Sequence, residues 1–152
     1  MASNTAHGWS NTASAYATNI SGMTTQGCEA LLRLVDTYCP FDAQSEVLDS
    51  GAGTGPLTTL LSQRCSDMSI TAADVAPGML AQIDKRRLPN VKTLVLDASK
   101  DHIAQGLELE AYTHAMSSFM LQFLGAHQQT AVDEIYRVLQ QSGVIGLSLI
   151  HI

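Results

Sequence analysis

Residues 47–56 read VLDSGAGTGP, and the architecture of the chain can be inferred outward from them. The apolar start is typical of a buried strand, and Pro56 suits the first position of a helix, where no backbone N–H is needed. Between them lie three glycines at alternate positions, which permit a tight turn and a close approach of ligand to main chain. The N-terminus of the following helix favours a negatively charged group. The stretch therefore predicts a strand, a ligand-binding loop and a helix.

The spacing of the glycines bears on which ligand the loop binds. The dinucleotide-binding fingerprint is GxGxxG, and its glycines serve a pyrophosphate. Here the pattern is GxGxG, and Pro56 occupies the place of the third glycine of that fingerprint. This spacing weighs against NAD as the ligand.

Short apolar runs alternate with helical patterns along the rest of the chain. Strands are predicted at residues 47–48, 70–73, 91–96, 112–117 and 144–150. Helices are predicted at residues 24–38, from Pro56 onward, at residues 77–86 and at residues 128–139. Alternating elements of this length imply a parallel sheet with helices on both faces. We therefore predict an α/β fold with a doubly wound parallel sheet of about five strands.

Two details of this prediction concern single segments. The third strand, residues 91–96, is apolar at nearly every position, which predicts burial on both faces of the sheet. Residues 1–22, rich in Ser, Thr, Asn and Ala, predict an arm or a short helical lid. The core domain is then expected over residues 23–152.

Three aspartates fall at the ends of predicted strands. Asp49, Asp74 and Asp97 follow the first, second and third strand. Ligands of open α/β sheets bind beyond the carboxyl ends of the strands, where the strand order reverses. Asp74 could accept hydrogen bonds from both hydroxyls of a ribose, and Asp97 from an adenine amino group. Alternatively, each aspartate caps a following helix, because Asp is a good N-cap residue.

Composition excludes several classes of function. The net charge of -6 argues against nucleic acid as a partner, because phosphate binding needs clustered Lys and Arg. The basic run at residues 85–87 is most simply a solvated helix end. No apolar run reaches the ~20 residues that cross a bilayer, and the first residues lack the features of a secretory signal. Three scattered cysteines predict reduced thiols in the cytoplasm, with neither a disulfide framework nor a metal site.

Several motifs together resemble those of class I S-adenosylmethionine-dependent methyltransferases. VLDSGAGTGPLT and ITAADVAPGML resemble the first two motifs of that family, which are its specific ones. LVLDAS, HAMSSFMLQFL and LQQSGVIGLS resemble the segments around the third, fourth and fifth strands. The leading segment is similar to that of small-molecule methyltransferases of fungal secondary metabolism. The resemblance implies a Rossmann-like fold and S-adenosylmethionine as cofactor.

The resemblance also implies a set of cofactor-binding residues. The methionine part would be held by Asp49, Ser50, Gly51, Gly53, Gly55 and the Ser117 carbonyl. The ribose and adenine would be held by Asp74, Val75, Met79, Asp97 and Ala98, and Tyr16 could close over the cofactor. For Val75 and Met79, simple core packing is the alternative. A catalytic base cannot be named, and His114 and His127 are weak candidates.

The family sheet has seven strands, and the sequence reaches only the fifth. We therefore expect a truncated core in which the strand from Val144 to Ile150 forms an apolar sheet edge. Such an edge can pair with another chain, which predicts a homodimer or a partner subunit. The leading functional hypothesis is methyl transfer from S-adenosylmethionine to a small-molecule acceptor. The alternatives are a non-catalytic module that serves as cofactor-binding subunit or scaffold and, less well supported, a nucleotide-dependent oxidoreductase.

Overall fold

The computed structural model describes the backbone of residues 6–19 and 21–149, and the side chains of residues 6–15 and 24–149. The helices are α1 (Ala6–Asn19), α2 (Ser21–Tyr38), α3 (Pro56–Arg64), α4 (Pro77–Asp84) and α5 (Gln128–Val138). The strands are β1 (Glu46–Ser50), β2 (Ser69–Asp74), β3 (Val91–Val95), β4 (Tyr112–Ser118) and β5 (Leu139–Ser148). Two short 3-10 turns, Leu121–Phe123 and Gly125–His127, connect β4 to α5.

The five strands form one parallel sheet in the order β3-β2-β1-β4-β5. The chain runs outward from β1 through β2 to β3 and then returns to the other side of β1, where β4 lies. The order therefore reverses between β1 and β4, which is where ligands of doubly wound sheets bind. The Rossmann-like α/β fold predicted from the sequence is confirmed.

Alternate residues of the central strand supply the two sides of the core. Val47 packs in a cluster with α2 and α3 on one face of the sheet. Leu48 packs in a cluster with Ile135 and Val138 of α5 on the other face. Successive strand side chains point to opposite faces, so a strand with buried residues at every position must be covered on both. β1 is held in this way, and the loop that follows it starts from a rigid support.

The prediction that the third strand is buried on both faces is wrong. β3 lies at one edge of the sheet, pairs only with β2, and leaves the side chain of Val95 54% exposed. An apolar run indicates that a strand tends to be buried, but it does not show whether the strand lies in the centre or at the edge of the sheet. At the edge of the described sheet, β3 lacks a second neighbouring strand to cover it.

The boundary between the last helix and the last strand also differs from the prediction. α5 ends at Val138, and β5 begins at Leu139 rather than at residue 144. Leu139 pairs with Tyr112, and the register shifts before His114. The polar residues 140–142, which lay outside both predicted elements, are extended and exposed at the sheet edge, where polar side chains reach water. Within residues 6–19 and 21–149, no helix combines the length and apolarity that a membrane crossing requires.

Candidate functional site

The glycine loop after β1 has the backbone conformation that its sequence predicts. Gly51, Gly53 and Gly55 all have positive φ, at 76, 56 and 84 degrees. L-residues with a side chain rarely adopt such angles. The N–H groups of Gly51 and Ala52 both donate to the carbonyl oxygen of Ala73, at 2.8 and 2.9 Å. The start of the loop is therefore fixed to the end of β2.

Asp74 connects the loop to the second strand. Its Oδ2 accepts the backbone N–H of Gly53 at 2.9 Å, and its Oδ1 accepts that of Ala76 at the same distance. Each carboxylate oxygen has two lone pairs, so both can still accept a ligand hydroxyl. Burial raises the pKa of the Asp74 carboxyl above its ordinary value. The side chain is thus both a support for the loop and an acceptor facing the pocket.

Asp49 is the most deeply buried carboxylate of the site. Its side chain is 1% exposed, and its Oδ2 accepts the hydroxyl of Thr58 at 2.6 Å. Burial, with a smaller contribution from the nearby charge of Asp74, raises the pKa of Asp49 to about 7. A bound cation would stabilise the ionised form of this carboxyl, so the position suits a ligand that carries positive charge.

Asp97 is engaged more fully by its own neighbours. Its Oδ1 accepts both the N–H of Ser99 at 3.0 Å and the hydroxyl of Ser99 at 2.6 Å. Its Oδ2 lies 3.1 Å from Nζ of Lys100. Partial burial acts to raise the pKa of Asp97, but these donors outweigh it and hold the pKa below its ordinary value. No helix lies between β3 and β4 in the described part of the chain, so the helix-capping alternative does not apply to Asp97; its carboxylate instead closes a turn with Ser99 and borders the pocket.

One pocket brings together most of the residues singled out from the sequence. The predicted residues that line it are Asp49, Gly51, Gly53, Asp74, Val75, Met79, Asp97 and Ala98. They come from the ends of β1, β2 and β3 and from the start of α4. The topological argument that placed three strand ends at one site therefore agrees with the geometry.

Three predicted residues do not line this pocket. Ser50 alternates with Asp49 on β1 and points into the core, where its hydroxyl has no hydrogen-bond partner among the described residues. Ser117 is likewise buried, and its neighbour Ser118 faces the pocket instead. Gly55 lies against α4, where an added Cβ would come within 2.6 Å of Ile83. The side chain of Tyr16 lies outside the described residues.

The basic run at residues 85–87 is exposed at the end of α4, as predicted, and Arg86 makes two additional contacts. Its guanidinium donates to the carbonyl oxygen of Gly55 at 3.2 Å and to the hydroxyl of Thr59 at 3.1 Å. The exposed side chain thus folds back and supports the outer side of the glycine loop.

Neither candidate histidine lines the pocket. His114 is buried in β4, with Nε2 3.0 Å from the carbonyl oxygen of Cys39 and its ring stacked on Phe41. His127 precedes α5 at the surface. Both positions match structural rather than catalytic roles.

Much of the remaining pocket lining is formed by residues from other elements that sequence reasoning missed. They come from α1, α2, the end of β4 and the segment after it, and they are Trp9, Thr24, Cys28, Ser118, Phe119, Met120, Phe123 and Leu124. The rest of the lining, Ala52, Thr54, Pro56, Leu57 and Leu96, adjoins the predicted residues. Cys28 Sγ and Ser118 Oγ lie 3.3 Å apart, and burial raises the pKa of the Cys28 thiol to about 11. The one available signal was Gly27 within α2, because an interior helix glycine often marks a close approach.

Comparison with known proteins agrees with this geometry. A family model described as "Methyltransferase domain" matches residues 47–143. The malonyl-[acyl-carrier protein] O-methyltransferase of Acetivibrio thermocellus is 34% identical over 104 residues, which cover 68% of this chain and 35% of that protein. The methyltransferase ucsB of an Acremonium species is 29% identical over 136 residues, which cover 79% and 46%.

Solved structures show the same fold. The DhpI-SAH complex superposes with a TM-score of 0.77 at 17% identity, covering 97% of this chain and 69% of that one. The chain spans less than half the length of the two curated relatives described above. The family match covers more than half of the chain and includes the glycine loop and all three strand-end aspartates. This chain therefore belongs to the methyltransferase domain family.

Proposed function

We propose that this domain binds S-adenosylmethionine and transfers its methyl group to a small-molecule acceptor. The observation that carries the proposal is the joining of a glycine loop and three strand-end aspartates in one pocket at the point where the strand order reverses. Family membership supports the same reaction, and so do the names of the curated relatives.

The ribose, the adenine and the amino group of the cofactor each have a chemically matched group in the pocket. Asp74 retains lone pairs for the ribose hydroxyls, and Asp97 with the Ala98 backbone would meet the adenine edge. Val75 and Met79 offer apolar surface to the adenine ring. Asp49 lies where a positively charged amino group would stabilise its ionised form.

When bound, S-adenosylmethionine supplies a methyl group on a positively charged sulfur, which keeps the bonding electron pair when an acceptor atom attacks. The protein groups named here would bind and orient the cofactor, and Trp9 and Phe123 lie in contact with each other beside the pocket. Holding reactants in line can supply much of the rate enhancement of such a displacement. The proposed activity therefore does not depend on a dedicated base.

Calorimetric titration tests this proposal. We expect saturable binding of S-adenosylmethionine and S-adenosylhomocysteine and little binding of NAD. Micromolar affinity for NAD without a response to S-adenosylhomocysteine would refute it. A protein that binds S-adenosylhomocysteine but methylates none of a broad panel of acceptors would instead support the alternative of a non-catalytic cofactor-binding subunit.

The N-terminal segment, residues 1–22, is proposed to be a lid over the core at residues 23–152. The backbone of α1 lies directly on α4, where the N–H of Gly78 donates to the hydroxyl of Ser10 at 3.1 Å. A Cβ on Gly78 would come within 2.7 Å of the Cα of Ser10. Tyr16 would belong to this lid. We assign the protein to the cytoplasm and to secondary metabolism, in keeping with the free thiols of Cys28, Cys39 and Cys65 and with the Acremonium relative.

We further propose that the chain self-associates through the free edge of β5, as a two-fold homodimer. β5 is the last strand of the described sheet, and Leu147 and Leu149 are 38% and 59% exposed there. Exposed apolar edge strands are templates for pairing. Sedimentation at micromolar concentration should show a dimer that Leu147→Lys dissociates, while Val95→Lys, at the opposite edge of the sheet, does not. A monomeric wild-type protein would contradict this proposal.

A further inference from the structure

The pocket has a second side, which meets the glycine loop where Met120 packs against Gly51. In the sheet, β4 lies on the opposite side of β1 from β2 and β3, so the segment after β4 faces their ends across the pocket. Trp9, Phe119, Met120, Phe123 and Leu124 line the pocket here. We call these five residues the apolar wall.

Phe119 is held in its place at a conformational cost. Its φ is +61 degrees, which is uncommon for a bulky residue and tends to mark functional sites. Its N–H donates to the carbonyl oxygen of Ser148 at 2.9 Å, at the end of β5. Its ring rests against Gly27 of α2, where an added Cβ would lie 2.3 Å from the ring carbon Cζ. A strained backbone and a matching hollow in α2 therefore fix this ring at the pocket surface.

Trp9 and Phe123 complete the wall from two different elements. Their ring centroids are 5.2 Å apart at an interplanar angle of 70 degrees, an edge-to-face contact. This contact links α1 to the segment after β4 beside the pocket. The wall thus joins residues of two elements through a direct ring contact.

The side chains of the pocket disfavour an anion placed against the apolar wall. The loop N–H groups and the start of α3 suit the carboxylate of the cofactor, but no equivalent group in the described part of the chain lies at the wall, where Cys28 and Ser118 hydrogen-bond to each other. Asp49, Asp74 and Asp97 are carboxylates, and the described lining residues include no lysine, arginine or histidine. An anionic acceptor at the wall would lose hydration next to like charges and gain no cationic side chain in return.

From this wall and these charges, we infer that the acceptor is an uncharged, hydrophobic molecule whose apolar part packs against Phe119, Phe123 and Trp9. The inference rests on the proposed function and names the substrate class of the same site. Acceptors that present a free carboxylate or phosphate to the pocket are excluded by it.

Trp9 is the only tryptophan of the chain, so its fluorescence reports on the wall directly. The probes are octanamide and octanoate, which share an alkyl tail and differ in charge. Each is titrated into the protein alone and into the protein saturated with S-adenosylhomocysteine. We expect octanamide to bind at least about tenfold more tightly than octanoate. Equal or tighter binding of octanoate would overturn the inference, as would the lack of saturable octanamide binding in protein that binds S-adenosylhomocysteine.

Variants test whether octanamide binds at the apolar wall. Phe119→Gly removes the ring and relieves the positive φ, and it should weaken octanamide binding about tenfold while changing S-adenosylhomocysteine affinity less than about twofold. Phe123→Leu is the second variant should the first not fold. Tyr136→Ala, an exposed aromatic on α5, is the matched control and should change neither affinity. Unchanged octanamide affinity in a folded wall variant would contradict the inference.

The two proposals fail separately. If S-adenosylhomocysteine does not bind, the proposed methyl transfer is wrong. The preference between octanamide and octanoate in the free protein still decides the nature of the wall.

Discussion

The loop after β1 and the segment after β4 leave the sheet at neighbouring strands, yet they build the pocket by different means. The loop uses main-chain groups and three glycines with positive φ. The segment after β4 uses side chains, and its one residue with positive φ that lines the pocket is Phe119. Recognition by main chain constrains which residues can be present and so leaves a sequence signature. Recognition by apolar side chains resembles ordinary core packing and leaves none.

The largest expected effect comes from comparing two glycines, which distinguishes loss of space for the ligand from backbone strain. Gly53 and Gly125 have nearly the same φ, +56 and +54 degrees, and a Cβ at either would meet nothing within 4 Å. Gly53→Ala and Gly125→Ala should therefore lose similar stability, on the order of 1 kcal/mol. Only Gly53→Ala adds a methyl group inside the pocket, and it should weaken S-adenosylhomocysteine binding by about 100-fold in calorimetry, roughly 2.7 kcal/mol. Equal affinities of the two variants would show that the loop is not the ligand site.

The next effect compares two strand-end aspartates. Asp74→Asn should cost ~1–3 kcal/mol of S-adenosylhomocysteine affinity, because charged acceptors for the ribose hydroxyls are lost. Asp97→Asn should cost less, because Asp97 is partly exposed and already satisfied by Ser99 and Lys100. Both affinities come from the same titration, with thermal melts to confirm folding. A larger loss of affinity for Asp97→Asn than for Asp74→Asn would assign the dominant ligand contact to the aspartate that follows the third strand.

A smaller effect depends on pH. The pKa of Asp49 is raised by burial from 3.8 to about 7, so the folded protein holds this proton more tightly than the unfolded chain. The free energy of unfolding should therefore fall as pH rises from about 4 to about 7. Ligand affinity should change in the opposite sense, rising up to about tenfold between about pH 6 and pH 8, because a bound amino group favours the ionised carboxyl.

Asp49→Asn is the variant that isolates this titration. It should flatten both pH dependences, which thermal melts and calorimetry across this range can measure. A variant that keeps the wild-type pH dependence of affinity would assign it to another group.

The smallest effect on cofactor affinity is expected at Gly27. A methyl group there would press on the Phe119 ring, so Gly27→Ala should lower stability by ~1–3 kcal/mol through overpacking. S-adenosylhomocysteine affinity should stay within about twofold of the wild-type value. The double variant Gly27→Ala, Phe119→Leu should recover part of the lost stability, because the two sites are in contact. The free energies of unfolding are measured in urea. If the changes caused by the two single variants simply add in the double variant, the proposed fit of the Phe119 ring against Gly27 is contradicted.

The difference between the two regions also explains which residues could be identified from the sequence. Gly51, Gly53 and Asp74 were identifiable because a turn, a close approach and a strand end each demand particular residue types. Ser117 was implied only by the family resemblance, for its backbone carbonyl; β4 is almost entirely buried, so its pattern could not show that the pocket is lined by Ser118.

Features that depend on tertiary arrangement could not be derived. The exposure of β3 follows from sheet order, which no local pattern records. The contact of Arg86 with the Gly55 carbonyl follows from how a long, flexible side chain folds back, and many conformations fit the same sequence. The apolar wall required knowing that α1 lies beside the segment after β4.

The direct contact of α1 with Gly78 has a kinetic consequence. Where two backbones pack without an intervening side chain, rotation of a side chain cannot open a gap between them. The helix α1 must therefore move away from Gly78 as a whole. If α1 acts as the proposed lid, a ligand beneath it leaves only after that helix detaches. Its residence time would then follow the frequency of helix detachment, and product departure rather than chemistry would limit turnover.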